Sequence, residues 1–339
     1  MQISVRRVLT LTACFGLVLT LSGAGFAQYY TVGDLASNET GKTKHTDALL
    51  ANPWGLAYGP GAPFWISDEA SGWSTLYDAT GNPQSLQVTI PSATGTGKGT
   101  PTGIVYNGSS EFQIENWTSL FLFATLDGTI SGWSHFFPSA SLIGVTHTGA
   151  VYTGLAITSK TSGNFLYAAD FANNKVDVYD GSFNLVKSFT DPKIPAGFAT
   201  FGIQDIGGKV FVTFASTSGG AGGYVDIFTE DGTFVKTFAH GSPLNQPWGL
   251  AVAPSTFGPL SGTVLVANNT SAGTINGYNR ATGALVGTLK NMAGNPIKIN
   301  GLWGIEFGGG TAANGRKNQL FFTAGPSDTN GFFGVINSH

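Results

Sequence analysis

The sequence predicts an all-β chain closed into a six-bladed propeller, each blade a four-stranded antiparallel sheet, and three observations carry that reading. First, one variable residue followed by Gly and an aliphatic residue recurs six times, in "PWGLA" (Gly55), "PTGIV" (Gly103), "YTGLA" (Gly154), "TFGIQ" (Gly202), "PWGLA" (Gly249) and "LWGIE" (Gly304). The intervals are 48, 51, 48, 47 and 55 residues, the period of a propeller blade. Second, each segment is followed by two further β-rich runs, as in "FLYAAD" and "KVDVYDGS" of the third unit. Third, the sixth unit is one strand short at His339, while an unassigned β-rich run, "YYTVGDLAS", stands at 29–37.

Taken in order, the blades are expected at 52–91, 100–147, 149–192, 195–241, 245–291 and 299–338. In units three to five, "YDGSFNLVKSF", "TEDGTFVKTF" and "NRATGALVGTL" are pairs of β-rich runs around Asp-Gly or Thr-Gly turns, a hairpin signature. The Gly of each unit belongs on the innermost strand, where blades converge and a side chain would crowd its neighbour. Segment 29–37 is expected as the outermost strand of blade six, which closes the ring and covers an unpaired edge. A seventh blade would need a seventh such segment, and the sequence has none. No unit shows a 3.6-residue apolar period, so helical repeats are excluded.

Composition agrees with this reading. Gly, at 49 of 339 residues, is about twice its usual frequency, and only 10% of residues are charged. The N-terminus predicts a secretory signal peptide over 1–27: Arg6 and Arg7, an apolar run from Val8 to Leu21, then "GFA" ending at Ala27. "LTAC" at Leu11–Cys14 resembles a lipobox, but the apolar stretch before Cys14 is short and the run continues past it. The exported chain, 28–339, is therefore expected as one secreted or periplasmic domain with no membrane span, and as a monomer. Cys14 is the only cysteine, so after cleavage no disulfide, thiolate site or cysteine nucleophile remains. Net charge is −3, and the basic residues are scattered. That argues against nucleic acid as a partner.

The run "YAADFANNKVDVYDGSFNLVKSF" resembles the NHL repeat, with an acid after the second strand, Asn in the turn and "VYDG" before the last hairpin. Over nearly its whole length the chain also resembles a group of bacterial secreted propellers of unknown activity. The motifs carrying that resemblance here are Tyr30–Leu35, "NPWGLA" (52–57), "GTPTGIV" (99–105), "DGTISGW" (127–133), "GNFLYAA" (163–169), "SPLNQPWGLA" (242–251), "GLWGI" (301–305) and "FTAGP" (322–326). The resemblance implies the fold and export; it implies no activity.

Propeller ligands are expected at the mouth where inner strands start and second strands end. The residues preceding the six Gly are Trp54, Thr102, Thr153, Phe201, Trp248 and Trp303, and the second strands end near Asp68, Glu69, Asp127, Asp170, Asn268, Asn269 and Asp328. Trp54, Trp248 and Trp303 with Asp68 and Glu69 are the candidate ligand-binding set, because stacking rings and a few orienting polar groups suit a glycan, peptide end or other small polar ligand. The competing structural reading packs each Trp between blades and uses Asp170 as a turn acid. A second candidate is a Ca²⁺ site of Asp68, Asp170, Asn268 and Glu306, oxygen donors of the kind this ion takes. Six-bladed lactonases use such an axial metal to polarise a carbonyl and activate water.

His45 and His240, in loops before inner strands, are candidate general bases, and the five histidines show no zinc-binding pattern. "GTGKGT" (95–100) lacks the spacing of a phosphate loop and reads as a linker. No G-x-S-x-G occurs, so an esterase elbow is unsupported. The expected function is thus a ligand-binding or interaction module for a small ligand, a glycan or an extracellular protein. A Ca²⁺-dependent hydrolase or lyase of the lactonase type is the alternative.

Overall fold

The computed structural model describes residues 28–160 and 163–339; the predicted signal peptide lies outside them. Six antiparallel blades of four strands are arranged as a ring, the sixth extended at its outer edge by one short parallel strand. Their inner strands are Pro53–Ala57, Pro101–Tyr106, Tyr152–Lys160, Phe198–Asp205, Pro247–Val252 and Leu302–Phe307. Each inner strand touches the next, and the sixth touches the first. Blade six is completed by Tyr30–Ser37, which pairs antiparallel with Asn330–Ser338 from Tyr30 opposite Ser338 to Ser37 opposite Phe332. The N-terminal run therefore supplies the missing outer strand, as its β-rich pattern predicts.

The six glycines work by close approach. A Cβ on Gly55 would lie 2.6 Å from the Thr102 carbonyl oxygen, one on Gly249 2.5 Å from that of Trp303, and one on Gly304 2.7 Å from that of Trp54. Gly103, Gly154 and Gly202 meet the backbone of the following blade in the same way. Each blade thus seats its Gly against the residue before, or at, the next blade's Gly, and the sixth contact returns to the first blade. Hydroxyls reinforce the seam: Thr102 Oγ1 donates to the Tyr152 carbonyl at 2.7 Å, Thr153 Oγ1 to Phe201 at 2.7 Å and Thr323 Oγ1 to Trp54 at 2.5 Å.

Six apolar cores lie between successive blades. Phe64 packs with Phe321 and Phe333 between blades six and one, and Trp65 stacks on Phe121 between blades one and two. A seventh core is on the axis and consists of Trp54, Trp248 and Trp303, flanked by Leu126 and Phe201.

Two small elements go beyond the predicted strands. A hairpin of Gln113–Ile114 and Trp117–Thr118 is inserted into blade two, its two-residue turn formed by Glu115 and Asn116 at φ 51° and 67°. Positive φ at both turn positions matches the twist of the flanking strands. His45–Thr46 runs parallel to Ala36–Ser37 at the outer edge of blade six. Among the described residues no helix is long and apolar enough to cross a membrane.

Candidate functional site

The two ends of the channel differ. Where the inner strands start, the three Trp rings converge instead of standing apart. Trp54 and Trp303 stack with centroids 3.6 Å apart and planes 18° from parallel. Trp248 meets both edge-on, at 6.1 and 5.7 Å, and Phe201 closes the fourth side. Trp248 reaches across the axis to donate Nε1–H to the Thr153 carbonyl at 2.9 Å, and Trp303 donates to Asn52 Oδ1 at 3.2 Å. The rings are only 7–8% exposed. The expectation that Trp54, Trp248 and Trp303 offer their rings to a ligand is corrected accordingly: neighbouring blades five, six and one contribute rings large enough to fill the axis, and they bury against each other.

The polar residues of this mouth are held by local hydrogen bonds. Buried Asp68 accepts from the Thr75 backbone N–H at 3.1 Å and its hydroxyl at 2.7 Å, and burial pushes its carboxyl well above the usual range. Asp170 caps its turn, accepting from the backbone N–H groups of Val151 and Asn173 and from Asn173 Nδ2. Asn268 accepts from the Asn245 N–H and donates to the Pro243 carbonyl. Glu69 accepts from Asn52 Nδ2 at 2.7 Å, and burial raises its carboxyl as well. Asp127 holds the Ala93 N–H of the linker between blades one and two.

The proposed calcium donors are not brought together. Glu306 pairs with Phe321 four positions along from the Leu302–Ala324 pair at the mouth, about 13 Å at ~3.3 Å per residue. Among the described residues no three His, Cys, Asp or Glu side chains form a group that could hold a metal ion. The two candidate histidines are on outer strands. His45 is on the outer edge of blade six, and His240 ends the outer strand of blade four, stacked on Tyr224.

Beneath the Trp rings the channel narrows to a throat of about 40 Å³, lined by Gly55, Gly103, Gly154, Gly249 and Gly304 under Trp248. It then opens at the opposite mouth into a cavity of about 330 Å³, the lower end of the size range for small-ligand sites (about 300–1,000 Å³). Its polar lining is Tyr58, Tyr106, Gln204, Asp205 and Glu306, and its apolar wall includes Leu56, Ile104 and Ile157. Glu306 borders both throat and cavity. Burial pushes its carboxyl up to about 7, partly offset by a hydrogen bond from the Phe307 N–H. Tyr58 is pushed up to about 12 by burial and by the nearby Glu306 charge. Burial also raises Asp205, with the Glu230 charge adding to it.

Of this set only Glu306 was singled out by its sequence context. The signal for Gln204 is visible once the units are aligned on their Gly. Two residues beyond it stand Ala57, Val105, Ala156 and Ala251, but Gln204 and Glu306 in blades four and six. The raised Glu306 carboxyl has a thermodynamic consequence. Its folded value near 7 exceeds the unfolded value near 4.5, so this group costs nothing below about pH 4.5. The cost grows as pH rises from 4.5 to 7 and is constant above. Glu306→Gln is therefore expected to stabilise the fold by about 1–3 kcal/mol at pH 8 and to change little at pH 4.5, as read from urea unfolding at the two pH values.

No family model matches the chain. It is 32% identical to the uncharacterized protein R648 of Acanthamoeba polyphaga mimivirus over 322 residues, covering 87% of this chain and 76% of that protein. It is 30% identical to protein L690 of the same virus, over 81% of this chain and 78% of that one. These relatives are viral, not the bacterial proteins that the motif resemblance implies. Among solved structures it is similar to virginiamycin B lyase from Staphylococcus aureus, with a TM-score of 0.56 and 12% identity over 91% of this chain and 99% of that one. A Xanthomonas campestris gluconolactonase aligns with a TM-score of 0.55 and 13% identity over 86% of this chain and 89% of that one. Identities this low show a shared fold alone. The sequence identity to R648 and L690, over 87% and 81% of this chain, places it in one family with these mimivirus proteins.

Proposed function

We propose that the protein is an exported, non-catalytic binding propeller whose site is the mouth at the C-terminal ends of the inner strands. The observation that supports this most strongly is the asymmetry of the channel. One end is sealed by the Trp54–Trp303 stack and Trp248, while the other is a cavity with converging Tyr, Gln and carboxyl groups on an apolar wall. A concave pocket that combines apolar side chains with converging polar groups and a perturbed carboxyl has features of a small-ligand site. A hydrolase of the lactonase type would need an axial metal, and the residues first assigned to one are engaged in turns or stand at the other end. Export rests on the predicted signal peptide and on the resemblance to secreted propellers.

The test is a thermal-shift screen of small metabolites against the wild type and Ile157→Trp, which places an indole in the cavity. Compounds that stabilise the wild type are expected to lose their effect in the variant. Equal stabilisation of both proteins would overturn the assignment to this mouth.

A further inference from the structure

We infer that this mouth takes a small organic ammonium ion, held between the Tyr58 and Tyr106 rings with Glu306 and Asp205 as its counter-charges. The inference rests on the binding role proposed above and names the chemical class of the ligand. Three features of the cavity argue for it.

The first is charge. The titratable groups lining the cavity are Tyr58, Tyr106, Asp205 and Glu306, and no Lys, Arg or His is among its lining residues. An anion entering it would meet two carboxyl groups and nothing to pair with, whereas a cation would relieve the burial that raises both acids.

The second is the wall. Ile157 and Ala57, only partly buried, offer contact to alkyl groups, while Leu56, Ile104, Val105 and Ala156 border the cavity but pack into the inter-blade cores. Tyr58 and Tyr106 line the same mouth, and aromatic rings attract ammonium groups strongly once these are desolvated. Tyr106 is braced, because its ring lies against the backbone of Gly59, where a Cβ would come within 2.8 Å of it. Tyr58 is held edge-on by Phe64 at 5.3 Å.

The third feature separates an organic cation from a metal ion. Calcium takes 6–8 oxygen ligands. The cavity presents two carboxyl groups, one amide and two phenols among alkyl side chains, a set that suits a large, weakly hydrated cation better than a small, hard one. The volume of about 330 Å³ accommodates an ammonium with a few carbon substituents.

The experiment is isothermal titration of the purified protein at pH 8 with choline and putrescine. Calcium chloride is titrated in parallel, as is 3,3-dimethylbutan-1-ol, the uncharged shape-mimic of choline. At least one of the two amines is expected to bind about tenfold or more tightly than the neutral alcohol. Glu306→Gln is expected to weaken that amine by a similar factor, and Tyr106→Leu is a second variant that removes a ring and keeps the charge. If the alcohol binds as well as choline and both are lost in Ile157→Trp, the mouth is the site but the ligand is not a cation. If amine binding survives unchanged in Ile157→Trp, the site itself lies elsewhere. Binding of calcium in preference to both amines, or no amine binding, also overturns the inference.

Discussion

Trp303→Ala is expected to lower the unfolding free energy by about 3–5 kcal/mol, the usual cost of deleting a large buried ring. The side chain is nearly fully buried. Its loss removes the 3.6 Å stack on Trp54, the edge contact with Trp248 and the contact with Phe201. It also leaves Asn52 Oδ1 without its Nε1–H donor. The void cannot collapse easily, because the surrounding inner strands are fixed by their contacts around the ring. Urea unfolding measures the loss. The same variant opens the axis, so acrylamide is expected to quench the remaining tryptophans more efficiently than in the wild type.

Gly202→Ala is the second large effect. The new Cβ would sit 2.8 Å from the Trp248 carbonyl carbon and 3.0 Å from Thr213 Oγ1, and closer still to the carbonyl oxygen. The obstruction is backbone, which cannot swing aside as a flexible side chain could. It is also the backbone that carries Trp248, whose ring must span the axis to Thr153. Overpacking of this kind costs typically about 1–3 kcal/mol and sometimes more; here a loss of about 3 kcal/mol or above is expected. A melting temperature unchanged from the wild type would show that blade contact is not what the repeated Gly serves.

These two residue types also show how far the sequence could be read. The Gly is legible because its constraint is local and repeats six times: every inner strand must pass close to the next, so the period appears directly in the chain. Strand 29–37 is legible because the sixth unit has a strand missing and the ring needs one. The direction of the Trp rings is not. Each inner strand carries a register shift at the x-Gly step, as between Leu302 and Ile305, where three residues advance against two of the partner. A bulge of this kind breaks the simple in–out alternation. Counting along the strand therefore does not tell whether a ring points into solvent or across the axis.

Glu306 stands four positions along its strand from the mouth that holds Asp68, Asp170 and Asn268, although a flat reading of the repeat places all four together. Tyr58, Tyr106 and Asp205 escape notice for another reason. Each stands three residues past its Gly, at the end of the inner strands where no motif repeats, and only the closed ring brings them to one cavity. The polar groups that the repeat makes conspicuous are mostly turn acids and amides that tie one strand end to the next, as the bonds of Asp68, Asp170 and Asn268 show. Conspicuous position in a repeat therefore reports structural duty here. The departures from the repeat, Gln204 and Glu306 where other blades carry small apolar residues, mark the proposed site.

The central claim is that one end of the channel is closed and the other receives a ligand. Crystals soaked with (2-bromoethyl)trimethylammonium, with data collected at the bromine absorption edge, test it most directly. An anomalous peak is expected in the cavity bounded by Tyr58, Tyr106 and Glu306, beneath an undisturbed Trp54–Trp303 stack. A peak on the tryptophan side of the axis, or an empty cavity in fully soaked crystals, would contradict it.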